Sequence, residues 1–131
     1  MSAFLVRQFN ATDTTAAENL LVDAGWSGAG LPPRYVFADA LRFGAAFLAV
    51  GEGEQEPIGF VRVVSDRSTV SYVAELVTAA EWRGRGVATA LLQACADRFP
   101  AARIDLLSTE MAQGFYEKAG FVAKAGYRRW P

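Results

Sequence analysis

Histidine is absent from this chain of 131 residues, and cysteine occurs once. The first absence removes the usual zinc ligand and the usual general base. The second excludes an internal disulfide and any cysteine-cluster metal site, so no metal is expected. Chemistry here has to run on carboxylate, tyrosine, backbone or solvent. Charge of one sign is also lacking: 13 Lys and Arg against 14 Asp and Glu give a formal net charge of −1. No global basic field exists to draw DNA, RNA or anionic lipid. Long apolar runs are missing as well, since the longest, Gly44 to Gly51, is far too short for a membrane span. The opening Met1-Ser2-Ala3-Phe4 has neither the cationic nor the apolar region of a signal peptide, so a cytoplasmic protein is expected. Asn10-Ala11-Thr12 then reads as a chance glycosylation sequon.

What is present suits one globular domain over residues 1–131. The composition is 52% hydrophobic and 21% charged, with no repeat, low-complexity tract or long linker. Ala3 to Phe9 reads as a strand. Ala17, Leu20, Leu21 and Ala24 keep the spacing of one buried helix face, with Thr15 and Glu18 as a capping box and Gly25 as the stop. Phe37, Ala40, Leu41 and Gly44 sketch a second helix. Ala45 to Gly51 and Ile58 to Val64 form a hairpin around the polar turn Glu52 to Pro57, and a second turn at Asp66-Arg67-Ser68 leads into a strand from Thr69 to Thr78. Strict alternation along that strand puts Val70, Tyr72, Ala74, Leu76 and Thr78 on one face and Ser71, Val73, Glu75 and Val77 on the other. A helix from about Gly86 to Phe99 buries Val87, Leu91 and Cys95, and Pro100 ends it. Ile104 to Leu107 is a further strand, Met111 to Ala119 a short helix closed by Gly120, and Phe121 to Trp130 a last extended segment or small hairpin. The order β-α-α-β-β-β-α-β-α-β makes an α+β protein with a mixed sheet.

The segment from Val77 to Ala88 carries the chemistry. A strand passes through Arg83-Gly84-Arg85-Gly86 straight into a helix, so successive backbone N–H groups and the positive end of the helix dipole converge on one point. Gly84 and Gly86 let a ligand reach the main chain, and Arg83 and Arg85 add charge. A phosphate fits; a solvated turn is the other reading. The Gly-Lys-Ser/Thr ending of an NTP-binding loop is missing, and the preceding hairpins do not open a dinucleotide-binding βαβ unit.

Downstream, Phe115-Tyr116-Glu117-Lys118-Ala119-Gly120-Phe121 sets an aromatic pair on a short helix followed at once by Gly-Phe. With these two segments in this order the chain resembles the GNAT superfamily of acetyl-CoA-dependent N-acetyltransferases. Arg83, Gly86 and Ala88 match its pyrophosphate-loop pattern Gln/Arg-x-x-Gly-x-Gly/Ala, and Phe115 to Phe121 match its late aromatic pattern. The resemblance covers nearly the whole chain in element order, while the residue match is confined to roughly the second half. It implies a mixed, mostly antiparallel sheet with helices on both faces and a splay between the fourth and fifth strands.

The resemblance further implies that acetyl-CoA lies in that splay, against Leu76, Val77, Thr78, Arg83, Gly84, Arg85, Gly86, Val87, Ala88, Thr89 and Phe115. An amine would attack the thioester directly, a backbone N–H would stabilise the oxyanion, and Tyr116 would protonate the departing thiolate. A half-buried aromatic packed on the sheet is the alternative for Tyr116. An amine with a pKa near ~10 arrives protonated, so a carboxylate or a water chain must take its proton. Glu75 is the carboxylate candidate, as base or amine anchor; an ordinary strand glutamate, solvated or paired with an arginine such as Arg62, stands beside that reading. Trp26 and Tyr35, with Glu75, are the acceptor-binding candidates, and Leu31, Tyr127, Arg128 and Trp130 lie in the other regions the family uses. Such aromatics also seal homodimer interfaces. Glu81 reads as solvated and Cys95 as core. The expectation is a cytoplasmic N-acetyltransferase that moves acetyl from acetyl-CoA to a small-molecule primary amine, with no nucleic acid or membrane partner. The alternative is a non-catalytic acyl-CoA-binding regulatory module.

Overall fold

Stretches in which apolar and polar residues alternate bury one set of side chains per face, and here they line up side by side in chain order. The computed structural model describes residues 3–25, 41–101, 103–129 and 131. Strands β1 (Phe4–Gln8), β2 (Gly44–Gly51), β3 (Gly59–Ser65), β4 (Val70–Thr78) and β5 (Arg103–Leu106) form one sheet in the order β1-β2-β3-β4-β5. The first three pairings are antiparallel. The fourth, β4 with β5, is parallel and needs a crossover, supplied by helix α2 (Val87–Arg98). Helix α1 (Thr14–Asp23) precedes β2 and the short α3 (Gln113–Lys118) follows β5.

Two apolar clusters lie on the two faces. Beneath α2, Ala45, Ala49, Val61, Val63 and Val73 meet Val87, Leu91, Leu92, Cys95 and Phe99. Beneath α1, Ala46, Leu48, Phe60 and Val77 meet Ala17, Leu20 and Leu21. Full burial of such side chains is worth about 1.5–3 kcal/mol each. Cys95 is wholly buried among them, and burial pushes its thiol pKa up to about 12.

Four expectations need correcting. Alternation along β4 is broken: the pairing with β3 shifts register between Arg62 and Val63, leaving Ala74 without a partner. Val73 and Leu76 therefore both face α2, while Glu75 and Val77 face α1. The capping box belongs to Asn10 and Asp13, where a short 3₁₀ turn (Ala11–Asp13) leads into α1; Thr15 and Glu18 sit inside the helix. Asp13 wins because its carboxylate also takes two hydrogen bonds from Arg7, at 2.8 and 2.9 Å. Of the second helix, Leu41–Phe43 is a 3₁₀ turn and Gly44 already opens β2, because a Cβ at Gly44 would lie 1.9 Å from the Val63 carbonyl oxygen and the chain is held against β3 there. Phe37 and Ala40 lie outside the described residues. Finally, among the described residues after Gly120 no strand or hairpin forms. Val122 and Tyr127 are exposed, so this segment has no buried apolar row to dock.

Candidate functional site

Parallel pairing holds β5 beside β4 only from Val70 to Val73, although β4 runs on to Thr78. Among the described residues the β5 side of β4 carries no ladder partner beyond Val73, and β5 itself ends at Leu106. The far end of β4 is anchored from the other side, where the Ala79 N–H donates to the Ile58 carbonyl at 2.7 Å.

Past that anchor come a 3₁₀ turn (Ala80–Trp82), a turn through residues 83–86, and α2. Gly84 and Gly86 have φ of +76° and +86°, the left-handed region that glycine alone enters without strain. A Cβ at either would meet nothing within 4 Å, so the concave side of the loop is open. The first ladder bond of the helix runs from the Ala90 N–H to the Gly86 carbonyl at 3.0 Å. The N–H groups of Val87, Ala88 and Thr89 thus belong to the unsatisfied first turn, and the dipole's positive end points the same way. Arg83, Gly84, Arg85, Gly86 and Thr89 are exposed, Ala88 is half-buried and Val87 is buried as the helix's foothold on the sheet. These are the features an anion site needs: backbone donors, no intruding side chain, and two exposed arginines at the rim.

Residues absent from the sequence-derived set hold the cradle in place. Trp82 is buried against Gly51, where a Cβ would come within 2.6 Å of the indole ring. Its Nε1–H donates to Glu54 Oε1 at 3.3 Å, and the Arg85 guanidinium lies 4.7 Å from the ring centroid. Arg85 is thereby stationed at the loop by a cation–π contact. Gly59 does the same service for the helix, since a Cβ there would lie 2.8 Å from Val87 Cγ1. The available signal was a glycine inside each strand pattern, which marks close approach of another group.

Tyr116 sits on α3, half-buried between Phe115 (ring centroids 5.1 Å apart) and Phe121 (5.5 Å). The late aromatic pattern has a local cause. Gly120 at φ +93° ends the helix in a left-handed cap, and the Phe121 N–H donates back to the Tyr116 carbonyl at 3.0 Å, folding one ring onto the other. Leu76, Phe115, Tyr116 and Phe121 all pack against the α2-side cluster. Burial raises the Tyr116 pKa above the ordinary tyrosine value, so its Oη keeps a proton across the neutral range.

Glu75 is placed differently. It is buried on the α1 side of β4, and its carboxylate accepts from Arg62 Nε at 2.6 Å and from Arg62 Nη2 at 2.9 Å. Both of its oxygens are engaged by one guanidinium, which is the pairing the sequence left open. Val77 shares that side and Thr78 is half-buried at the strand end. Trp26, Leu31, Tyr35 and Trp130 lie outside the described residues. Tyr127 is almost fully exposed, and Glu81 is exposed. Among the described residues no group of three or more His, Cys, Asp or Glu converges to hold a metal ion, and no helix is long and apolar enough to cross a membrane.

One domain thus brings together a fourth strand that outruns its parallel partner, a loop of left-handed glycines leading into a helix, and a half-buried tyrosine on the helix after β5. Residues 44–123 match the profile of the Acetyltransferase (GNAT) domain, and the chain belongs to that family. Solved structures agree on the fold. A Trypanosoma brucei acetyltransferase superposes with a TM-score of 0.77 at 19% identity, over 98% of this chain and 99% of that one. A Xanthomonas campestris pv. campestris protein described as a GNAT-family acetyltransferase gives 0.75 at 26% identity, over 100% and 95%. Glucosamine-6-phosphate N-acetyltransferase from Arabidopsis thaliana gives 0.76 at 13% identity, over 98% of each chain. No curated protein sequence matches the chain.

Proposed function

We propose that this protein transfers an acetyl group from acetyl-CoA to a primary amine on a small molecule, by direct attack of the amine. The observation that carries the reading is the open loop at Gly84 and Gly86, which follows a strand whose last residues, Ala74 to Thr78, lie beyond its pairing with β5. When bound, acetyl-CoA supplies the acetyl group as an activated thioester. The chain's own residues divide the remaining work. The N–H groups of Arg85, Gly86, Val87 and Ala88, with Arg83, are the set to hold a diphosphate. The unpaired edge of β4 from Ala74 to Thr78 offers backbone donors and acceptors to an extended amide-bearing arm, as an added strand would use them. Tyr116 Oη holds a proton and is the group to give it to a sulfur leaving beside the Phe115 and Phe121 rings. The incoming ammonium loses its proton to water, because both Glu75 oxygens are committed to Arg62.

Titration calorimetry with acetyl-CoA tests the site. Gly86→Glu places a carboxylate on a left-handed residue inside the cradle, and binding should disappear while the fold survives. Equal affinity in the two proteins would move the site elsewhere. Release of free thiol with a panel of primary amines tests the chemistry; tight binding with no release for any amine would instead make the protein an acyl-CoA-binding regulatory module.

A further inference from the structure

The buried pair Arg62–Glu75 sits next to the one place where β3 and β4 change register, and the two facts explain each other. In an unbroken ladder continued from Ser65↔Ser71, Val64↔Tyr72 and Val63↔Val73, Arg62 would oppose Ala74 and Glu75 would oppose Val61. Val61 is wholly buried on the α2 side beside Leu91 and Val87, so that register would drive a carboxylate into an apolar layer with no cation. The residues that follow set no such condition. Leu76 and Val77 would exchange faces, and both are apolar. Skipping Ala74 moves Glu75 to the α1 side, directly opposite Arg62, where the guanidinium takes both oxygens at 2.6 and 2.9 Å. Only Glu75 among these residues resists the regular register.

The consequence reaches the site. An extra residue in one strand bends it and increases its local twist. Pairing of β4 with β5 ends at Val73↔Leu106, immediately before the skipped residue and at the last residue of β5. We infer that the Arg62–Glu75 ion pair is a register lock: it holds the irregularity at Ala74, which turns β4 away from β5 and opens the edge on which the acyl donor is proposed to lie. Glu75 and Arg62 are then positioning residues. The structural half of this inference stands on the ladder alone; its functional half rests on the acetyl-CoA reading.

Two double variants of the full chain test it. Arg62→Glu with Glu75→Arg reverses the pair and keeps it. Arg62→Met with Glu75→Met removes both charges at similar length, which avoids stranding one buried ion. Cross-strand NMR contacts report whether residue 62 faces residue 75 or residue 74 without any ligand. Calorimetry reports acetyl-CoA affinity, and turnover is followed against pH. The reversed pair should keep residue 62 opposite residue 75, hold acetyl-CoA affinity within about threefold, and leave the pH profile unmoved. The methionine pair should fold, move residue 62 opposite Ala74, and weaken acetyl-CoA binding by about tenfold or more. A methionine pair that keeps the native register and affinity overturns the lock. So does a reversed pair that keeps both but loses turnover by about 10²-fold together with one limb of the pH profile, since Glu75 would then act on the amine itself. A wild-type protein that binds no acetyl-CoA overturns the proposed function, and the NMR contacts still decide the lock.

Discussion

In the proposed reaction the ring and the hydroxyl of Tyr116 do separable jobs. The ring packs between Phe115 and Phe121, while the hydroxyl carries the proton. Tyr116→Phe should leave fold and acetyl-CoA affinity intact and slow turnover by about 10²–10⁴. Burial raises the tyrosine's pKa, and in the proposed reaction the protonated form is the active one. Activity assigned to it should therefore persist as pH rises past ordinary tyrosine ionisation, near ~10, and fall only above it. A Tyr116→Phe protein with unchanged rates at every pH would leave Tyr116 with packing alone. Cys95 gives a second residue-scale expectation. Its thiol is wholly buried with its pKa pushed up to about 12, so almost no thiolate exists at neutral pH. Alkylating reagents should fail to label it in the folded protein and label it fully in denaturant; rapid labelling of the native form would contradict this packing.

The elements show which parts of the site were readable beforehand. The loop Arg83 to Gly86 and the cap at Gly120 were legible because their chemistry is local: left-handed glycines and a helix start lie within a few residues of each other. The faces of β4 were not, because the skip at Ala74 accompanies the pairing of Glu75 with Arg62, 13 positions earlier in the chain. Trp82 escaped for the same reason, since its place depends on Gly51 and Glu54 across the sheet. At the start of α1 the local pattern pointed to Thr15 and Glu18, and the cap formed instead at Asn10 and Asp13, where Arg7 on β1 engages the Asp13 carboxylate. That contact carries a pH signature. Hydrogen bonds from Arg7 hold the Asp13 carboxyl below its ordinary range. The stability it contributes is thus complete above the unfolded carboxylate pKa, near ~4, and is lost as pH falls through the lower folded value. Asp13→Asn should cost about 1–2 kcal/mol at neutral pH and flatten the acid limb of a denaturation series; an unchanged acid limb would assign the acid sensitivity to other groups.

For the whole molecule, sheet order equals chain order, and this divides the domain into unequal parts. β1 to β4 are joined by antiparallel ladders and covered by both helix-bearing clusters. β5 is held by four parallel pairs at one end, and α3, which follows it, buries none of its six residues fully. Such a unit opens by local unfolding at a lower free energy than the four-stranded body. Hydrogen exchange should find the slowest amides in β2, β3 and α2, and distinctly faster exchange in β5 and α3; uniform protection would show one cooperative unit. The short pairing of β4 with β5 then acquires a kinetic meaning. The strand beside which the acyl donor is proposed to lie also leads to the helix bearing Tyr116. A ligand bridging the gap would slow exchange on both sides of it at once, and warming the free protein would detach the proton donor while the cradle at Gly84 and Gly86 was still folded.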